Sequence, residues 1–149
     1  MISTRIATAT LAISLAFAGS ANAADPNAAI KYRKDVMSVI GGSVTAIAAI
    51  LKEEAGARAD LAALTQILAL AADPAIIDTA FEMNTDGQGS EKTTAKANIW
   101  TDMDKFKAIN VKLNEAAADA AKAGANVTFN EMKPVFAQCK ACHDDFRQK

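Results

Sequence analysis

Histidine, tryptophan and tyrosine each occur once in these 149 residues, cysteine twice and proline three times. With aromatic residues at 5 % and alanine abundant, little is available to pair across the faces of a β-sheet, and the composition favours helix. Charge of one sign is also missing. The 16 Lys+Arg and 17 Asp+Glu are mixed along the chain, which excludes the basic footprint of a nucleic-acid-binding surface. No G-x-S-x-G, no phosphate-binding loop and no pair of carboxylates in an apolar stretch is present, so hydrolysis and phosphoryl transfer have no machinery. Internal repeats and low-complexity tracts are absent beyond the alanine bias.

One largely apolar run, Ile6 to Phe17, follows Arg5 and precedes the small-residue sequence Ala21-Asn22-Ala23. A short positive segment, an apolar stretch and an A-x-A site together read as a secretory signal peptide, residues 1–23, removed near Ala23/Ala24. The run is too short to span a bilayer, and no later stretch is expected to do so. Loss of Arg5 leaves 15 cations against 17 anions, a formal charge of −2. Residues 24–149 then make one exported domain with a single core.

Hydrophobic periodicity divides that domain into four helices. Asp25-Pro26 is a capping acid followed by proline at the first helical position, opening a helix from about Asn27 to Ala55. Its seam is Ile30, Arg33, Met37, Ile40, Val44, Ile47 and Leu51. A second helix shows Leu61, Leu64, Leu68 and Ala71 on one face and meets a break at Asp73-Pro74. Glu82 to Lys92 reads as a loop. A third helix is expected from about Thr94 to Gly124, with Ile99, Met103, Phe106, Leu113, Ala117 and Ala120 inward. Thr128 and Glu131 form a capping box at the start of the fourth, flanked by Val127 and Met132 in the staple positions. Its inward seam is Phe129, Met132, Phe136, Cys139, His143 and Phe146, with an irregularity expected at Pro134. Four such helices with short links imply an all-α, antiparallel four-helix bundle.

Both cysteines and the histidine fall in five residues, CKACH, Cys139 to His143. On a helix, Cys139 and His143 share a face and Cys142 stands beside them. Two thiols can then reach one edge of a flat ligand while the imidazole stands over its centre. The pattern C-x-x-C-H signals covalent haem, with thioether bonds from Cys139 and Cys142 and iron ligation by His143: one haem c. A redox-active or structural disulfide is the competing reading, but that motif belongs to a βαβ context. Zinc would find only three ligands. A chance match is the third alternative.

The leader, the bundle, the Ile99-Trp100 pair opening the third helix and the C-terminal C-K-A-C-H-D-D-F-R resemble the class II c-type cytochromes, the cytochrome c′ family. The resemblance spans the mature chain. It implies that Cys139 and Cys142 attach haem, that His143 is the proximal ligand, and that Arg147 matches a basic residue near the proximal side; a cation favoured by a helix C-terminus is the other reading of Arg147.

Arg33 stands in an apolar seam, where a guanidinium must snorkel outward or meet an anion, and a haem propionate is such an anion. The Tyr32-Arg33-x-x-x-Met37 stretch is similar to a family segment in which the arginine contacts a propionate and the residue four later faces the iron. One helical turn, about 5.4 Å, suits that pair of tasks. Gly41 and Gly42 are placed to let the backbone approach the macrocycle. Methionine at position 37 is the residue that the low-spin branch of the family presents, so the expected function is a periplasmic electron carrier with His143/Met37 ligation and no enzymatic activity. Its partners are then periplasmic redox proteins. The alternative is a five-coordinate, high-spin haem that binds NO or CO. Many relatives pair through the first two helices, which implies a homodimer; nucleic acid and a membrane span are not expected.

Overall fold

The computed structural model describes residues 25–149; the leader assigned to residues 1–23 lies outside them. Six helices form among the described residues: α1 (Pro26–Leu51), α2 (Leu61–Ala71), α3 (Pro74–Phe81), α4 (Asn98–Thr101), α5 (Met103–Ala123) and α6 (Phe129–Phe146). They build the four rods of the expected bundle, because α2 with α3 and α4 with α5 are two rods broken once each.

The breaks have local causes. Asp73 accepts a hydrogen bond from the Ala75 amide at 2.8 Å and Pro74 takes the first helical position, so a new helix starts there with a 49° bend. Asp102 leaves helical geometry (φ −128°, ψ 45°) and separates α4 from α5. The third rod begins later than Thr94: residues 94–96 lie outside any helix, and Ala95 forms an antiparallel bridge with Arg147.

At its start α1 is capped by Asp25, as expected, the Asn27 amide donating to its side chain at 3.0 Å. Its end comes four residues before Ala55. Glu53 adopts a left-handed φ of 60° and donates to the Ile50 carbonyl, while Glu54 donates to that of Ala49. This is the Schellman closure, carried here by a glutamate instead of a glycine.

The expectation that no stretch after the leader is long and apolar enough to cross a membrane does not hold for α1, whose 26 residues suffice by length and composition. It nevertheless packs on α2 and α3 with Arg33 buried among them, and Lys31, Lys34 and Asp35 occupy the same turns. Hydrocarbon would penalise that cluster of charge.

The core runs the length of the bundle through Ile30, Ile40 and Ile47 of α1, Leu61 and Leu68 of α2, Ile77 and Phe81 of α3, Phe106 and Leu113 of α5, and Met132 and Val135 of α6. Phe81, Phe106 and Phe146 stack in series, with ring centroids 4.7 and 5.4 Å apart. On α1, Ser43 and Ile50 are buried where the seam pointed to Val44 and Leu51, which are half-buried. The irregularity expected at Pro134 does not occur. Helix α6 is unbroken, and both Pro134 and Asn130, whose carbonyl loses a partner there, are exposed. Phe129 is also exposed, and Val135 takes the inward place.

Candidate haem site

Helix α6 is fixed at its start by the capping box the sequence announces. The Thr128 side chain accepts from the Asn130 amide at 3.1 Å, and Glu131 accepts from the Thr128 amide at 2.8 Å. Val127 and Met132 are fully buried beside it. Three turns on, the helix presents Cys139 and Cys142 as free thiols, half-buried against the core. Burial pushes both thiols up, Cys142 to about 11, helped there by Cys139 and Asp145. At neutral pH the thiol form is therefore favoured over the thiolate that a metal would need.

His143 reaches solvent, yet partial burial of the ring, and then the charge of Arg147, push its pKa down, with Asp144 opposing. The imidazole is thereby kept neutral with a nitrogen lone pair to offer iron. No three His, Cys, Asp or Glu side chains converge among the described residues, so the zinc alternative lacks a ligand set.

Arg147 ends α6. It is extended (φ −114°, ψ 133°), and its amide donates to the His143 carbonyl at 3.2 Å. Its amide thus closes the helix carrying the histidine, and its charge acts on that histidine.

Arg33 neither snorkels nor meets a carboxylate. It is 3 % exposed, donating from Nε to the Ala80 carbonyl at 3.0 Å, from Nη1 to Thr85 Oγ1 at 3.0 Å and from Nη2 to the Met83 carbonyl at 3.1 Å. Its guanidinium lies 4.8 Å from the Phe81 ring and 5.1 Å from that of Trp100. Burial pushes its pKa down, with no neighbouring charge to oppose it. Each terminal nitrogen carries a second N–H.

The antiparallel pairings set the level of Met37. From Arg33 opposite Ala80, one turn forward on α1 and one back on α3 bring Met37 opposite Ile76. From Asp78 paired with Lys107 at 2.9 Å, a half-turn back on α3 and a half-turn forward on α5 bring Ile76 level with Ile109. From Phe106 against Phe146, Ile109 is level with His143. Met37 and His143 therefore occupy one layer, on helices that are not a closely packed pair: α6 packs on α5, and α1 on α2 and α3. Met37 is half-buried and rests against the core. Gly41 and Gly42 lie on the exposed side of α1, where an added Cβ meets nothing within 4 Å.

The residues fit a haem on three counts: free thiols one turn apart, an imidazole beside them held toward its neutral form, and, one turn before Met37, a buried cation with no counter-ion among the described residues. Trp100, singled out in the sequence with Ile99, donates from its indole to the Phe81 carbonyl at 2.9 Å. Sequence reasoning missed Thr85, whose burial no neighbouring residue signals.

A family model described as Cytochrome C′ matches residues 28–147. The cytochrome c′ of Rhodospirillum rubrum is 36 % identical over 135 residues, covering 85 % of this chain and 86 % of that protein. That of Cereibacter sphaeroides is 35 % identical over 156 residues, covering 97 % and 98 %. Among solved structures, cytochrome c′ from Rubrivivax gelatinosus superposes with a TM-score of 0.69 at 27 % identity, over 83 % of this chain and 98 % of that one. A nitric oxide complex of a point mutant of cytochrome c prime from Alcaligenes xylosoxidans gives 0.68 at 25 % identity, over 85 % and 98 %. The resemblance read from the final helix thus extends along almost the whole domain, and the chain belongs to the cytochrome c′ family of haem-c-binding four-helix bundles.

Proposed function

We propose that this is a periplasmic haem protein that binds nitric oxide or carbon monoxide, in place of the methionine-ligated electron carrier expected from the sequence. The observation that carries this reading is the placement of Met37: level with His143, yet resting against the core on a helix that does not pack closely on α6. Ligation would require the thioether to give up those core contacts. As a wall residue it would instead line the face opposite His143 without occupying the iron's sixth position. The nitric oxide complexes solved for the Alcaligenes relative support the same reading.

One haem c, when bound, supplies an iron whose sixth position accepts the gas. Cys139 and Cys142 hold it by thioether bonds, and His143 ligates from the α6 side. Arg147 favours the neutral imidazole. Arg33, buried without a counter-ion, offers its two remaining N–H groups to a propionate. Tyr32 and Val39 on α1, with Ile67 and Leu70 on α2, are exposed apolar residues and support a homodimer through those helices, which sedimentation of the mature protein tests.

The deciding experiment is the absorption spectrum with and without CO. A high-spin ferric spectrum and ready uptake of CO by the ferrous protein are expected, with haem that survives acid–acetone extraction. Met37→Ala should raise the CO rate only modestly, and His143→Ala should abolish normal ligation, because no second histidine exists.

The shared layer of Met37 and His143 is the specific observation favouring the second reading, electron transfer between periplasmic redox proteins. A low-spin spectrum, a weak far-red sulfur-to-iron band and slow CO uptake relieved by Met37→Ala would establish it.

A further inference from the structure

Helix α6 ends with four carbonyls that have no partner within the helix. All four are satisfied, and the extended segment before α4 supplies three of the partners. The His143 carbonyl accepts from the Arg147 amide. Lys96 Nζ donates to the carbonyls of Asp144 at 3.1 Å and Asp145 at 2.9 Å, and the Lys96 amide donates to that of Phe146 at 2.9 Å. Asn98 Nδ2 adds a second donor to Asp145 at 3.2 Å. The Gln148 amide returns a bond to the Thr94 carbonyl at 2.7 Å, completing the bridge of Ala95 with Arg147.

We infer that Lys96 is a positioning residue for His143, its ammonium clamping the last turn of α6 and thereby fixing the orientation in which the imidazole is presented. The inference rests on His143 being the haem ligand proposed above. Three features separate Lys96 from an ordinary surface cation. It is half-buried and forms no ion pair among the described residues, its contacts being backbone carbonyls. Those carbonyls belong to the residues immediately following the histidine. A cation there also offsets the negative end of the helix dipole, close to the metal position. Lys140 is a built-in control: it stands in the same two turns but pairs with the Asp144 carboxylate on the exposed side. Its ammonium touches none of the terminal carbonyls.

The test uses the intact holoprotein and two readouts, the iron–histidine stretching band of the ferrous form by resonance Raman and hydrogen exchange of the Arg147 amide. Lys96→Met keeps the aliphatic stem and removes the ammonium. It should shift and broaden the band and accelerate exchange about tenfold, the loss expected for a charge-assisted hydrogen bond. Lys96→Arg, which restores charge and donors, should recover most of both, and Lys140→Met should change neither. An unchanged band and unchanged exchange in Lys96→Met overturn the inference while leaving His143 ligation standing. Equal effects from Lys140→Met also overturn it, since net charge alone would then suffice. A haem spectrum left unchanged by His143→Ala overturns the ligation reading and the inference together.

Discussion

Two helix C-termini in this molecule are closed by cations borrowed from distant parts of the chain, and they are closed differently. At the end of α3, Arg33 donates to Ala80 and Met83 carbonyls from a fully buried position, with Trp100 donating to Phe81 beside it. At the end of α6, Lys96 donates to Asp144 and Asp145 from a half-buried one. The planar guanidinium can serve several fixed acceptors while its faces lie against Phe81 and Trp100, so it can be enclosed. The ammonium is a compact, strongly hydrated charge and stays near water. The α3 closure is therefore part of the core, whereas the α6 closure can move with whatever His143 holds.

Removing the arginine should break the comparison most severely. Arg33→Met leaves buried acceptors at Ala80, Met83 and Thr85 without donors, and a loss on the order of 3 kcal/mol or more is expected from unsatisfied buried groups. Denaturant unfolding of the mature protein measures it. Lys96→Met should cost visibly less in the same experiment, because water can reach the freed carbonyls; equal losses would show that the two ends are energetically alike.

Trp100→Phe separates hydrogen bonding from stacking at the α3 end. The ring can still cover Arg33 but the Phe81 carbonyl loses its donor, so a loss of roughly 1–2 kcal/mol is expected. A loss as large as that of Arg33→Met would place the indole, and not the guanidinium, at the centre of the closure.

The opposite end of α6 gives a smaller reference. Thr128→Ala should cost about 1 kcal/mol, as loss of an N-cap usually does. The hydrogen bonds from the Thr128 side chain and amide hold the Glu131 carboxyl below its ordinary range. A carboxylate with a lowered folded pKa stabilises the fold above its unfolded pKa, and that stability is lost as pH falls through the folded value. Acid titration of stability between about pH 5 and 3 should therefore show a component absent in Glu131→Gln.

Gly41→Ala carries the smallest effect and the opposite sign. Nothing lies within 4 Å of the added Cβ, and alanine is favoured over glycine in a helix interior by about 1 kcal/mol at most. A gain in the melting temperature is expected from an isolated bundle. A loss, together with a fall in sedimentation coefficient, would mean that a second copy covers this side of α1.

What could be read in the chain was local. The capping box at Thr128 and the break at Asp73-Pro74 depend on residues within a few positions of one another, and each stands in the structure as the spacing implied. The start of the third rod was misplaced because the segment 94–96 is held out of the helix by the bridge of Ala95 to Arg147, a partner about fifty positions away. The end of α1 was misplaced for a subtler reason: glycine usually marks such a closure, and here Glu53 takes the left-handed position.

The order of residues alone determined the number of rods, the faces they bury and the chemistry of the last helix, because periodicity, caps and a ligand motif act over one or two turns. Tertiary structure decided what surrounds that chemistry. Arg33 could have turned to solvent as far as its neighbours in sequence were concerned; carbonyls and rings that only folding brings to it hold it inside. Whether Met37 reaches the metal is likewise set by how far α1 stands from α6, a distance fixed by packing on α2, α3 and α5 and by no residue adjacent to Met37 in the chain.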